Sequence, residues 1–242
     1  MSMVAEKAIE LQGVTYKIDG TTILNQIDGS FYKGRITSLV GPSGAGKTSL
    51  FRLCNGMRTA TEGTIQYNGK LLSSYVPTEL RKKVGIVLQQ ATMINGTVRE
   101  NLVLPLTLAN EQLKDDAVKQ SLEEVGLAAS TMTKQAKELS GGQKQKLSIA
   151  RTLLNQPDVL LLDEITSSLD RVSVREIEHL IEQIHERYGT TIVWITHQIE
   201  QAKRLSHDSW VMMDGQLVEH GTTRILDHPQ DPRVIEFLKE ER

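Results

Sequence analysis

Cysteine is almost missing from this chain. Cys54 stands alone, which excludes a disulfide framework within the chain and makes a reducing compartment the expected setting. It falls among Leu50, Phe51, Leu53 and Met57, which predicts a buried structural thiol. Long apolar runs are missing too: stretches such as Val159-Leu160-Leu161-Leu162 are strand-length. A membrane-crossing helix needs roughly 20 apolar residues. The opening residues, MSMVAEKAIE, lack the basic-then-apolar order of a secretory leader. These absences lead to the expectation of a cytoplasmic chain that does not itself span a membrane. Nor does charge of one sign dominate. A formal net charge of −2 argues against nucleic-acid binding through a broad basic surface, and no nucleic-acid partner is expected. No internal repeat, low-complexity tract or appended regulatory domain is visible.

What is present is a core. Hydrophobic residues make up 39% of the chain, and its 242 residues are enough for one large α/β domain or two small ones. Three apolar segments open the chain, at 8–16, 22–31 and 35–40, with Gly20 and Gly34 between them. That pattern reads as three strands and two turns. The third run feeds into Gly41-Pro42-Ser43-Gly44-Ala45-Gly46-Lys47-Thr48-Ser49, and 47–57 then reads as a helix. Another strand over 64–67 meets a tight turn at Asn68-Gly69, and 84–88 is a short strand ending at Gln89.

From 98 to about 137 the apolar spacing is helical, as at Val118, Leu122 and Val125. This block predicts an inserted helical subdomain within about 90–155 of a single domain over 1–242. A helix over 140–155 ends before Pro157, and 159–162 is apolar throughout, as expected of a parallel strand covered on both faces. Val174, Ile177, Leu180, Ile181, Ile184 and Tyr188 predict an amphipathic helix stopped by Gly189. A buried strand over 191–195 and a hairpin around Asp214-Gly215 complete the pattern.

Strand, glycine loop and helix in that order make a phosphate-binding loop. Its glycines let backbone N–H groups converge on a phosphate, and the helix adds its positive end. Lys47 supplies a mobile positive charge, and the Thr48 hydroxyl suits Mg²⁺. Asp163 and Glu164 end an apolar strand, the edge at which open α/β sheets collect ligands. An acidic pair carries little alone. Beside a phosphate loop, Asp163 is expected to serve the metal and Glu164 to act as general base. His197 follows the 191–195 strand and should reach the same edge, to bond a γ-phosphate or water. Gln89, also at a strand end, can touch Mg²⁺ or water. His179, His185, His207, His220 and His228 are read as solvated or locally bonded.

Ser140-Gly141-Gly142-Gln143 opens a helix and so offers a second anion site. Two such helix ends in one chain predict two copies facing each other. ATP would then lie between the Lys47 loop of one copy and the Ser140 loop of the other. Asp170, in Ser167-Ser168-Leu169-Asp170, is placed on a loop just after the acidic pair.

With the GPSGAGKT loop, Gln89, LSGGQ, VLLLDE, the SSLD loop and His197 in this order, the chain resembles the nucleotide-binding subunit of ABC transporters from about residue 8 to about 225. The resemblance implies a P-loop NTPase core of mostly parallel sheet and helices, with an N-terminal antiparallel β subdomain and the inserted helical subdomain. It implies ATP and Mg²⁺ as cofactors and a homodimer formed on ATP binding. A separate integral-membrane permease would dock near the Gln89 loop and the helical block, which places the chain on the cytoplasmic face of the membrane. Gln198 and Lys146 stand where aspartate and arginine are usual, and Ile18 where an aromatic usually stacks on adenine; Tyr16 or Ile18 would take that contact.

The segment Asp163-Glu164-Ile165-Thr166-Ser167-Ser168-Leu169-Asp170 resembles bacterial iron-exporter ATPases and their plant aluminium-tolerance relatives. Phosphate and amino-acid importers share much of the remaining pattern. A non-transport ABC ATPase of DNA repair or translation is a third reading, although the chain has neither long insertions nor a second cassette.

Overall fold

The computed structural model describes residues 5–241. The first four residues and Arg242, at the ends of the expected 1–242 domain, lie outside the described residues. Strands β1 (Lys7–Ile18), β2 (Thr21–Tyr32), β4 (Glu62–Tyr67) and β5 (Lys70–Leu71) form an antiparallel sheet in the order β2-β1-β4-β5. A second, six-stranded sheet collects β3 (Ile36–Val40), β6 (Val84–Val87), β7 (Val159–Asp163), β8 (Thr191–Ile195), β9 (Asp208–Met213) and β10 (Gln216–Thr222), in the order β10-β9-β3-β8-β7-β6. All its neighbours are parallel except the β9–β10 hairpin at one edge.

Every residue of β3, β7 and β8 is buried, which accounts for their unbroken apolar wording. Alternation then sorts side chains onto two faces. Val159, Leu161, Val193 and Ile195 join a core shared with the antiparallel sheet and with α1 (Lys47–Cys54). Leu160, Leu162, Ile192 and Trp194 join a second core with α5 (Gly141–Leu153) and α6 (Arg171–Tyr188). Cys54 lies wholly inside the first core, and burial pushes its thiol up to about 12, so it is an inert packing residue.

The expected helical block resolves into α3 (Val98–Leu108) and α4 (Asp115–Glu124), followed by short 3₁₀ turns at Ala129–Thr133 and Ala136–Glu138. The Thr97–Glu100 capping box starts α3, and Asp170 caps α6, which Gly189 ends in left-handed backbone. Tyr188 is 51% exposed, off the apolar stripe proposed for it. Three further helices appear: α2 (Pro77–Lys83), α7 (Ile199–Leu205) and α8 (Pro232–Glu240). With α7, Val234, Phe237 and Leu238 of α8 cover Val40 and Val211 in a third cluster.

At the start of β3, His207 Nδ1 accepts the Ile36 N–H at 3.0 Å. Only a ring without a proton on Nδ1 can do this. Partial burial, then His185 and Arg35, lower the His207 pKa from its ordinary value near 6.5. Because the folded value lies below the unfolded one, stability is full above about pH 6.5 and is lost as pH falls through that range towards the folded value. Melting temperature should therefore fall more steeply from about pH 7 to about pH 5 than in His207→Asn, whose amide oxygen can accept at every pH. Parallel melting curves for the two proteins would refute the assignment.

Candidate active site

The phosphate loop bridges β3 and α1 at the carboxyl edge of the parallel strands. Gly41 takes φ +140, and a Cβ there would lie 1.9 Å from the Met212 carbonyl oxygen. Gly46, at φ +92, precedes α1, where no side chain caps the helix. The first N–H groups of α1 are those a helix leaves unpaired, which is what an anion site requires. Lys47 is 4% exposed, and its Nζ donates to the backbone oxygens of Gly41 (2.7 Å) and Pro42 (2.9 Å). Burial lowers its pKa, opposed by the charges of Glu164 and Asp163. Pro42, Ser43 and Gly44 are exposed on the loop, Ala45 packs into the core, and Ser49 lies on α1.

Asp163 ends β7 and is buried, so desolvation raises its pKa against the hydrogen bond from Thr48. Thr48 Oγ1 donates to Asp163 Oδ1 at 2.9 Å. One carboxylate and one hydroxyl side by side form a hard-oxygen set of the kind Mg²⁺ uses, with phosphate and water filling its other positions.

Glu164 follows in left-handed backbone, φ +49, unusual for a residue with a side chain. Its N–H is tied to Ile195 O at the end of β8 (3.2 Å). This bend carries its carboxylate to His197, with Nε2 and Oε1 2.6 Å apart. A carboxylate only accepts, so the ring proton of this contact sits on Nε2. Strain of this kind, about 1–3 kcal/mol, is characteristic of functional sites.

The remaining candidates divide. Gln89 Nε2 donates to Ser167 Oγ at 3.1 Å, so in this conformation Gln89 pairs with the segment after the acidic pair instead of with Thr48 or Asp163. Ser140 caps α5, and its hydroxyl accepts from Gln143 N while Gln143 Oε1 accepts from Ser140 N. Ser140–Gln143, the signature segment, is thus a capping box at an exposed helix end. Asp170 accepts from the Val172 and Ser173 N–H groups and from Ser173 Oγ.

One expectation is corrected. Tyr16 lies in the first core with 9% exposure, whereas Ile18, at the strand end, is 44% exposed. The ring is committed to packing, which removes Tyr16 from the candidate adenine contacts.

Some residues escaped the motif reading. Gln145 is buried on α5 and donates to Leu88 O (3.1 Å), next to Gln89. Arg151, on the same helix, donates to Thr92 O (3.1 Å). Asn101 clasps Ile94 through both its amide groups. The loop after β6 is therefore held from α3 and α5 at several points. A buried glutamine just past the signature was the available signal.

The family model of the ABC transporter matches residues 24–167, from β2 through the acidic pair. The chain belongs to the ABC transporter family. It is 42% identical to YjkB of Bacillus subtilis (strain 168), named as an ABC transporter ATP-binding protein, over 93% of this chain and 90% of that one. It is also 36% identical to the methionine import ATP-binding protein MetN 2 of Enterococcus faecalis (strain ATCC 700802 / V583), over 96% of this chain and 70% of that one.

Among solved structures, cbiO1 from Clostridium perfringens, part of the ABC transporter complex cbiONQ, superposes with a TM-score of 0.83 at 26% identity, covering 97% of this chain and 99% of that one. The ATP-binding cassette MJ0796, as a dimer bound to ADP and Pi, gives 0.79 at 27% identity over 89% and 99%. The ABC chain described here is accordingly an ATPase, with the α/β cassette fold and antiparallel N-terminal sheet of its family.

Proposed function

We propose that this ATPase works as the motor subunit of an ABC transporter, closing on a second copy around ATP to drive a separate membrane permease from the cytoplasmic face. The observation that carries the catalytic part is the Glu164–His197 contact, 2.6 Å long, one residue from the Thr48–Asp163 bond. In this reading Lys47 and the loop N–H groups bind the β- and γ-phosphates. Glu164 takes the proton of the attacking water, and His197 holds that carboxylate in place.

Thr48 and Asp163 would hold Mg²⁺, which supplies charge neutralisation at the phosphate oxygens. Gln89 would have to leave Ser167 to reach it. Ile18 would offer adenine an apolar contact without stacking. The partner copy's signature helix end would complete the site.

For cargo, the Asp163–Asp170 wording supports export of iron or a related metal. The methionine import ATPase among the relatives favours a second reading, an importer of an amino acid, phosphate or another small solute. A strain whose only copy carries Glu164→Gln, grown in high iron, should accumulate more iron than the unmodified strain. Unchanged or lowered iron would end the iron-export reading. A permease should also copurify from detergent-solubilised membranes; recovery with ribosomes or DNA instead would overturn transport itself.

A further inference from the structure

Gln201 belongs to none of the motifs, yet it sits where the two catalytic strand ends are joined. It lies on α7 and is 2% exposed. Its Oε1 accepts from Thr196 Oγ1 at 2.5 Å, and Thr196 immediately precedes His197. Its Nε2 donates to Thr166 Oγ1 at 3.4 Å, and Thr166 lies two residues after Glu164. The same nitrogen donates to Glu178 Oε1 of α6 at 2.9 Å, while Arg204 closes the chain on Glu178 Oε2 at 2.6 Å. One primary amide offers an acceptor and two N–H groups, and here all three are used. All four residues of this chain, Gln201, Thr196, Thr166 and Glu178, are buried, so each bond replaces water that cannot enter.

We infer that Gln201 is a positioning residue for ATP hydrolysis: its amide ties the segment after Glu164 to the segment before His197 and so keeps those two side chains in contact. The inference rests on the reading of Glu164 and His197 as the hydrolytic pair. It also explains how strained backbone at Glu164 is held from both flanks. On one side its N–H bonds Ile195 O, and on the other Thr166 is pinned through Gln201 to Thr196. No other side chain of similar length does this. Glutamate would lose both donated bonds and set a second carboxylate against Glu178; methionine keeps the bulk and loses every bond.

The test is single-turnover and steady-state ATP hydrolysis by the full chain carrying Gln201→Met, alone and combined with His197→Ala. The single change should lower kcat by about 10²-fold while KM for ATP stays within about twofold, since the phosphate loop is untouched. In the His197→Ala background the added loss should shrink to about threefold or less, because the arrangement being held is already gone. The swap Gln201→Glu with Glu178→Gln restores a donor–acceptor pair between the two helices and should recover part of the loss.

Unchanged kcat in Gln201→Met, or an equal loss in both backgrounds, would overturn the inference. If Gln201→Met does not fold, Thr196→Val and Thr166→Val decide the matter, each removing one arm at nearly constant volume. Normal kcat in both would likewise overturn it. Normal turnover in Glu164→Gln and His197→Ala themselves would instead show that the underlying pair is misassigned.

Discussion

Glu164→Gln is expected to lower ATP turnover by roughly 10²–10⁴-fold, the usual range for losing a general base. ATP affinity should hold within about threefold, because no phosphate-binding group changes. The substitution is conservative in geometry. Glutamine can keep an oxygen on His197 Nε2, where the carboxylate now sits at 2.6 Å, and can occupy the same left-handed backbone. Only proton-accepting power is lost. An ATP-bound dimer should therefore build up, visible by size-exclusion chromatography with ATP and absent with ADP.

Adding Ser140→Arg tests the sandwich in the same experiment. Ser140 caps an exposed helix end in its own chain, so the bulky cation should block the dimer while each monomer still binds ATP. Loss of monomer binding as well would count against the two-copy site. Turnover at the normal rate in Glu164→Gln would remove Glu164 from the role of base.

Much of this was legible beforehand because the signals are local. An unbroken apolar run such as 159–162 reads as a strand buried on both faces, and a glycine loop between strand and helix has the order that a phosphate-binding loop requires. Most of what escaped was set by distance along the chain. Gln89 meets Ser167 across 78 residues, Gln145 meets Leu88 across 57, and Gln201 meets Thr166 across 35. Nothing in the wording around a glutamine announces such a partner.

Short helices failed for another reason: α2 and α7 each span seven residues, under two turns, too few to show a period. Tyr16 and Ile18 should share a face by strand alternation, but the β1–β2 register shifts on both sides of Tyr16. Those bulges turn one side chain into the core and leave the other exposed.

Gly41→Ala should be among the most damaging glycine substitutions in the described residues. Its Cβ would stand 1.9 Å from Met212 O and 3.0 Å from Met212 C, both backbone atoms of β9. That strand cannot retreat: β3 pairs it on one side, with Val40 opposite Val211, and β10 on the other, with Leu217 opposite Met212. The φ of +140 adds backbone strain on top of the collision. The loop must move instead, and with it the Gly41 oxygen that accepts from Lys47 Nζ at 2.7 Å.

A stability loss on the order of 3–5 kcal/mol is expected from strain and overpacking together. ATP should bind about 10²-fold more weakly, since one or two charge-assisted contacts at about 1.5–3 kcal/mol each are displaced. Gly44→Ala is the control. It also has positive φ, +82, but its Cβ would meet nothing within 4 Å. It should cost only about 1 kcal/mol of backbone strain. Thermal melts and nucleotide titrations of the two variants separate collision from conformation. Equal losses in both would mean that backbone strain alone governs the loop, and that β9 does not hold Gly41 in place.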